Sequence, residues 1–239
     1  MNKFQDIKNF STIRPEYLPS IGYFWNLGQC KKIVLTDHFQ YSKRQAFSIS
    51  PPLIQNDVVL RIPVKHDPAF MPLYKKQIFH NDWINKHFAT IKHKYQNFPF
   101  AYLYLPEINN LYSANIKFLS DFLTKLISVI SKWLYLDTEI YQASKIGFSK
   151  DNDQCVISWA EQLNCGHYIN SKYVFQNAYI NKQKLTDNNI IVDEFNPLPD
   201  FNIFQSYKNM CIFSFLFQFG PEAGYIIKQF QPITGNSLS

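Results

Sequence analysis

Polar side chains that could do acid–base chemistry lie directly after a predicted strand, Ile33–Thr36. Asp37 and His38 are adjacent there, and a carboxylate near an imidazole can orient a general base. Neighbouring residues of an extended chain point to opposite sides, so we expect these two not to pair with each other. The same segment continues with residues that could line a pocket or hold an anion: Gln40, Tyr41, Lys43 and Arg44. The alternative interpretation is a polar surface loop.

Further candidates lie on other predicted elements. His87 follows Trp83 by one helical turn and faces the same way, which is typical of either a catalyst or a hydrogen-bonded core histidine. Tyr95 and Tyr168 have the same two interpretations, because a buried tyrosine usually needs a partner for its hydroxyl. Cys165-Gly166-His167 could form a thiolate–imidazole pair, but a catalytic cysteine normally pairs with a histidine distant in sequence.

Several specific motifs are missing from the sequence. It contains no GxxxxGK[ST] phosphate loop, no GxGxxG turn, no GxSxG elbow and no HExxH pair. With only 7 glycines, few positions allow a backbone to approach a pyrophosphate closely. The 4 cysteines form no CxxC and have no histidine at zinc-finger spacing. The sequence therefore predicts neither a cofactor nor a bound metal.

The net charge of +6 is concentrated in the first hundred residues, which hold 14 Lys and Arg against 6 Asp and Glu. Such a region could attract a phosphate, a sugar nucleotide, an anionic membrane surface or nucleic acid. Only Arg14, Arg44 and Arg61 are arginines, and base readout favours the bidentate guanidinium group that lysine lacks. We therefore expect no specific nucleic-acid partner, and an RNA-binding module remains the least favoured alternative.

The cellular location is predicted from apolar runs and cysteines. The first ten residues lack the apolar core of a signal peptide, and no apolar run approaches 18 residues. We therefore expect a cytoplasmic protein without a transmembrane segment and with reduced thiols.

The elements that must position these side chains alternate between strands and helices. Strands are predicted at Ile33–Thr36, Val58–Val64, Glu139–Tyr141, His167–Ile169 and Ile190–Val192. Apolar periodicity predicts helices over Asp82–Asn97, over Asn115–Leu134 with Asn115 as N-cap, and over Asp151–Asn164. A buried segment, Ile212–Phe219, is expected to stop at Gly220-Pro221. The pattern predicts an α/β fold, a single layered domain over residues 1–239 with a mixed or mostly parallel sheet flanked by helices.

The order of several short motifs resembles the WbqC-like family. Leu18 to Phe24 is similar to its "P-x-x-GYF" opening, and Asp37 to Arg44 is similar to its "D-D-x-Q-[FY]-x-K-R" stretch. Cys155 to Ile169 resembles a "C-x-x-L-G-A-x-x-Y-[IV]" segment, and Phe215 to Ala223 resembles the closing "D-L-L-F-N-x-G-P-E-A". Three smaller matches lie between them: Pro63-Val64, Trp83 before Lys86-His87, and Tyr95 before Phe98-Pro99-Phe100. The resemblance spans roughly residues 13–227.

This resemblance implies a role connected with bacterial surface polysaccharide, including the O-antigen of lipopolysaccharide. One activity that it implies is transfer of an amino acid such as glycine onto a sugar, with formation of an amide or ester. The implied partner is a sugar or sugar-nucleotide precursor, and a protein partner of a glycan pathway is an alternative.

Five positions depart from the family pattern. Arg14 stands where glutamine or another polar residue commonly precedes the opening proline, and His38 replaces a second aspartate. Ser48-Ile49-Ser50 stands where "x-N-R" is usual, Asn196 replaces the histidine of a late "H-P", and Ser214 replaces an aspartate. The aromatic and Gly/Pro framework is retained, which indicates a preserved fold with an altered or lost site.

Two hypotheses follow from these residues and this resemblance. In the first, the protein is a transferase in which Asp37 or His87 is the general base for the acceptor amine or hydroxyl. Lys43 and Arg44 would then hold a phosphate or carboxylate, and four side chains would line the pocket: Tyr17, Tyr23, Gln40 and Tyr168. In the second, the protein is an altered family member that binds a sugar precursor or a partner enzyme without catalysis.

Overall fold

Five parallel strands form the centre of the protein in a computed structural model, which describes residues 8–43, 46–55, 57–66, 70–79 and 82–230. The strands are β1 (Asn9–Ile13), β2 (Lys32–Leu35), β3 (Glu139–Gln142), β4 (His167–Asn170) and β5 (Ile191–Glu194). Their order across the sheet is β3-β2-β1-β4-β5. The predicted α/β class with a mostly parallel sheet is therefore confirmed.

The strand order reverses beside the central strand. From β1 the chain moves outward to β2 and β3, and it then returns to the other side of β1 to form β4 and β5. Phe10 of β1 is in register with Lys32 of β2 on one side and with Tyr168 of β4 on the other. The carboxyl ends of β1 and β4 are thus adjacent at a topological switch point, where open α/β sheets bind ligands.

Helices cover both faces of the sheet. Their bounds are α1 (Ile21–Gly28), α2 (Trp83–Tyr95), α3 (Ala101–Tyr112), α4 (Leu119–Trp133), α5 (Ala143–Ile146), α6 (Asn152–Gln162), α7 (Lys172–Gln176), α8 (Lys182–Asp187), α9 (Asn202–Gln205), α10 (Ile212–Phe219) and α11 (Glu222–Gln229). Alternation along β2 sends Ile33 and Leu35 into a large core with α1–α4, α10 and α11, whereas Val34 joins a smaller core with α6 and α8. Among these described residues, no helix is both long and apolar enough to cross a membrane.

The predicted helices with clear periodicity are present. Trp83, His87, Ile91 and Tyr95 all lie on the buried face of α2. Helix α6 begins after Asp151, whose carboxylate accepts hydrogen bonds from the backbone N–H groups of Asp153 and Gln154. Helix α10 ends at Gly220, as expected. Local burial periodicity therefore predicted α2 and α6 correctly, whereas the residues of α10 had been expected only to form a buried segment.

Two predictions for the first half of the chain were wrong. Val58–Val64 does not form a strand; it has only isolated bridges at Arg61 and Val64, and the side chains of Val58 and Val59 are exposed. Asn115 is not the N-cap of α4, because it has a φ of +46° and the helix begins only after Phe118. Residues 116–118 instead precede the helix, and Phe118 has an extended backbone and forms an isolated bridge with Gln77.

Two elements of the structure were not predicted. Strand β1 was missed because its five residues include Asn9, Ser11 and Thr12, which weaken the apolar signal. Helix α3 was missed as well, and it contains Pro106, a residue that normally counts against a helix interior. The omission of β1 matters most, since this strand lies at the centre of the sheet.

Candidate functional site

A cavity of about 750 Å³ lies at the switch point of the sheet. It is bounded by the carboxyl ends of β1, β2 and β4 and by side chains of α6 and α7. Its volume is within the range of small-molecule sites, about 300–1,000 Å³. The polar and charged residues of its wall include Thr12, Arg14, Glu16, His38 and Asn170.

Arg14 and Glu16 bring a cation and an acid to the cavity from the loop after β1. The Arg14 guanidinium carbon lies 5.5 Å from the ring centroid of Phe39, and its backbone carbonyl accepts a hydrogen bond of 3.0 Å from the Tyr23 hydroxyl. Burial raises the pKa of Glu16 from 4.5 to about 7, although the nearby charge of Arg14 opposes the rise. A carboxyl group with this pKa can accept or donate a proton near neutral pH.

His38 enters the cavity wall from the end of β2. Its ring stacks on Phe148 with centroids 4.8 Å apart and lies 4.3 Å from the Phe39 ring and 5.8 Å from that of Trp159. Burial lowers the pKa of His38, and the charge of Asp37 opposes this only in part. The imidazole is therefore mainly neutral at pH 7, and its Nδ1 has no hydrogen-bond partner among the residues that the structure describes.

A hydrogen-bond network joins β1 and β4 beneath the cavity. The buried Tyr168 hydroxyl lies 2.7 Å from Thr12 Oγ1 and accepts a 2.6 Å hydrogen bond from Asn170 Nδ2. Asn170 Nδ2 also donates to the Thr12 carbonyl oxygen at 3.1 Å. Burial raises the pKa of Tyr168 to about 12, so its hydroxyl stays protonated and orients Thr12 and Asn170 at the switch point.

Asp37 is completely buried beside the cavity. Its carboxylate accepts hydrogen bonds of 2.6 Å from the hydroxyls of Ser120 and Ser144, 2.9 Å from the Ser144 N–H and 3.3 Å from Gln142 Nε2. Ser144 lines a second, smaller cavity of about 290 Å³. As expected, Asp37 does not pair with His38, and its carboxylate holds the end of β3 and the start of α4.

His87 belongs to a closed aromatic cluster. Its Nδ1 lies 2.9 Å from the Tyr17 hydroxyl, which in turn lies 2.5 Å from the hydroxyl of Tyr112. The Trp83 ring packs edge-on at 5.0 Å between centroids. Burial lowers the pKa of His87 to about 4 and raises that of Tyr17. None of these four residues is among those that line the cavity.

The other predicted site residues have different positions. Tyr23 contacts Arg14, and Tyr168 contacts Thr12. Arg14 and Thr12 line the cavity, but the two tyrosines do not. Gln40 and Lys43 are exposed and do not line it; the Lys43 carbonyl accepts a hydrogen bond from Arg61. Arg44 lies outside the described residues. The structure thus gives Asp37, His87 and Lys43 different contacts and does not show them sharing one.

Sequence reasoning did not propose Arg14 or Glu16 as site residues. The available signal was the position of the Arg14-Pro15-Glu16 segment directly after a strand, but it required β1 to be identified. Arg14 and His38 had been noted only as departures from the family pattern, and both line the cavity. By contrast, Asn196 and Ser214 make hydrogen bonds in other parts of the protein.

The cysteines do not have the environment of activated thiols, because burial is the largest influence on their pKa values, and at Cys165 the charges of Lys32 and Lys8 oppose it only in part. All four are buried, and burial raises the pKa of Cys155 and of Cys165. His167 Nε2 lies 2.8 Å from Asp193 Oδ2, so the partner of this histidine is Asp193 and not Cys165. No group of three or more His, Cys, Asp or Glu within the described part of the chain could hold a metal ion.

The sheet order, the two helical layers and the cavity at the switch point define a doubly wound α/β protein with a candidate ligand site at its carboxyl edge. The chain belongs to the WbqC-like protein family, whose family model matches residues 14–225. The match begins at Arg14 and thus includes all the cavity residues that follow β1. Searches for similar proteins found no match among curated proteins or among solved structures.

Proposed function

We propose that the protein is a transferase of surface polysaccharide biosynthesis that joins an acyl or aminoacyl group to a sugar precursor in the cavity at the switch point. A role in polysaccharide biosynthesis is the broadest function that membership of the WbqC-like family suggests. The observation that carries the proposal is Glu16, a carboxyl group with a pKa near 7 in the wall of a ligand-sized cavity.

Glu16 is the proposed general base. An acceptor amine or hydroxyl that attacks an acyl carbonyl must lose a proton as the new C–N or C–O bond forms, and the bond to the leaving group then breaks. The Glu16 carboxylate accepts that proton and can return it to the leaving group. Asp37 and His87 were the sequence-based candidates for this role, but their polar atoms are already engaged with Ser144 and Tyr17.

Arg14 is the proposed anchor for a carboxylate or phosphate of the ligand. Its guanidinium is exposed at the cavity and carries the positive charge that the sequence analysis assigned to Lys43 and Arg44. Asn170 and Thr12, held in place by Tyr168, supply polar atoms at the cavity floor. The neutral ring of His38 and the buried indole of Trp159 contribute an aromatic part of the cavity wall beside these polar groups.

The test is the mass of the surface glycan repeat in a strain that lacks this gene and in its parent. We expect the repeat without the gene to be lighter by one acyl or aminoacyl group. Wild-type protein restores the mass, whereas Glu16→Gln lowers the rate of transfer by about 10²–10⁴-fold and leaves the repeat largely unmodified. Glu222→Gln, on the exposed start of α11, is the matched control and restores it.

A second candidate function is ligand binding without catalysis. Two of the five departures from the family pattern, Arg14 and His38, lie in the cavity wall, which favours this alternative. An unchanged glycan repeat at normal abundance would contradict the transferase. Binding of a sugar precursor that is lost in Arg14→Ala would then support the binding module.

A further inference from the structure

A row of aromatic side chains connects the large cavity with the small one. Phe39 and His38 line the large cavity, and Tyr74 lines the small cavity. The Phe148 ring lies between them: it stacks on His38 at 4.8 Å and meets the Tyr74 ring edge-on at 6.0 Å. Because Phe148 is 46% exposed, this row is a solvent-facing surface rather than part of a core.

The backbone before Phe148 fixes the position of its ring between the two cavities. Gly147 has a φ of +90°, which only glycine adopts without strain, and it turns the chain directly after α5. Its carbonyl oxygen accepts a 2.7 Å hydrogen bond from the indole N–H of Trp159, a residue of the large cavity. The position of Phe148 is thus tied to the wall of the site.

The two cavities are also joined through Asp37. Its carbonyl oxygen accepts a hydrogen bond of 2.9 Å from the Tyr74 N–H, and its carboxylate binds Ser144, so it fixes two residues of the small cavity. The next residue, His38, lies in the large cavity. The strand end at residues 37–38 therefore sets the distance between the two cavities.

The small cavity has the polar groups of a binding subsite. Lys75 and Lys145 supply ammonium groups, with Asp121 at 3.6 Å from Lys145, and Ser144 supplies a hydroxyl. The Lys75 ammonium lies 5.6 Å from the centroid of the Tyr74 ring. Aromatic faces with hydroxyl and charged groups beside them match a sugar ring, which has apolar C–H faces and a rim of hydroxyls.

We propose that the small cavity and the Phe148 ring form a second sugar subsite, so that the protein binds a saccharide of at least two rings along the Phe39–His38–Phe148–Tyr74 row. This inference rests on the proposed function for the first ring, which occupies the large cavity beside Arg14 and Glu16. The second ring packs on Phe148 and reaches Lys75 and Ser144. The row thereby selects an oligosaccharide over a single sugar.

The experiment compares two probes prepared from the parent strain's own surface glycan: the repeat oligosaccharide released by mild acid, and its free monosaccharides. Affinity for purified full-length protein is measured by titration calorimetry. We expect the repeat to bind at least tenfold more tightly than any of its monosaccharides. Phe148→Ala weakens binding of the repeat about three- to tenfold and leaves the monosaccharides unchanged. Phe148→Trp retains the tight binding.

Tyr102→Ala is the matched control, since it removes an aromatic ring that is 69% exposed on α3. Equal affinities of Phe148→Ala and Tyr102→Ala for the repeat would overturn the second subsite. If Arg14→Ala still abolished binding in that case, the proposed function at the large cavity would stand. Failure of wild-type protein to bind either probe would overturn both.

Discussion

Two histidines of this protein, His87 and His38, have pKa values shifted in the same direction but lie in different surroundings. Burial lowers the pKa of His87 and of His38. His87 is bonded to Tyr17 within a closed aromatic cluster, whereas His38 lines a cavity and stacks on a half-exposed ring, Phe148. A perturbed pKa therefore does not by itself identify a functional histidine; access for a ligand is the second requirement.

The two carboxyl groups near the cavity, Asp37 and Glu16, also differ in their surroundings. Four hydrogen bonds from three residues surround the buried carboxylate of Asp37, which leaves it little capacity to bind anything else. At Glu16, by contrast, burial raises the pKa of the carboxyl group to about 7. Asp37 therefore has the surroundings of a structural carboxylate, whereas Glu16 has a pKa near neutral pH, and measurements of protein stability can test this difference.

The largest expected effect on stability is that of His87→Ala. This change leaves a cavity in the core and removes one of the two hydrogen-bond partners of the Tyr17 hydroxyl, which keeps only Tyr112. We expect it to lower the free energy of unfolding by about 4 kcal/mol. His38→Ala, at the cavity, should cost only about 1 kcal/mol. Urea denaturation at pH 7 measures both. Equal losses of unfolding free energy for the two variants would contradict the distinction between His87 in a closed cluster and His38 at an open cavity.

The next effect is the pH dependence that Glu16 causes. Its pKa in the folded protein is about 7 against 4.5 ordinarily, so the unfolded chain ionises first and wild-type stability falls as the pH rises through this window. We expect Glu16→Gln to be more stable than wild type by about 3 kcal/mol at pH 8 and by less than about 1 kcal/mol at pH 5. Urea denaturation of both proteins at the two pH values measures this difference. A gap that did not change with pH would show that Glu16 is not desolvated.

His87 should produce the opposite pH dependence. Its pKa in the folded protein is about 4 against 6.5 ordinarily, so stability is lost as the pH falls from about 6.5 toward 4. The stability advantage of wild type over His87→Ala should therefore shrink by about 2 kcal/mol between pH 7 and pH 5. The same denaturation series supplies the measurement. An advantage that grew on acidification would mean that the ring is charged in the fold.

The smallest effect should come from a third histidine, His167, which pairs with Asp193 on the protein surface. The Nε2–Oδ2 distance is 2.8 Å, but the Asp193 side chain is 62% exposed, so solvent screens the pair. We expect Asp193→Asn to change the free energy of unfolding by less than about 0.5 kcal/mol in a thermal melt. A decrease in the free energy of unfolding above about 2 kcal/mol would show that solvent exposure does not predict how much a histidine pair contributes to stability.

Part of the fold followed from local patterns. Helices α2 and α6 were predicted because their apolar residues recur with the helical period, and Asp151 follows the usual chemistry of an N-cap. Strand β1 could not be predicted in the same way, since a central strand with two hydroxyl-bearing residues has no clear alternation. Val58–Val64 had the composition of a strand but finds no partner strand to pair with in the described structure.

The sequence by itself determined the α/β class, the family resemblance and the segments that carry polar side chains. It also indicated that Asp37 and His38 point apart, which the structure confirms. Which polar residues meet was decided only by the tertiary structure. The cavity depends on β1 lying next to β4, a pairing held by contacts such as Thr12–Tyr168 across 156 residues of chain. Such non-local pairing depends on the packing of the whole sheet and leaves no periodic signal in the segments themselves.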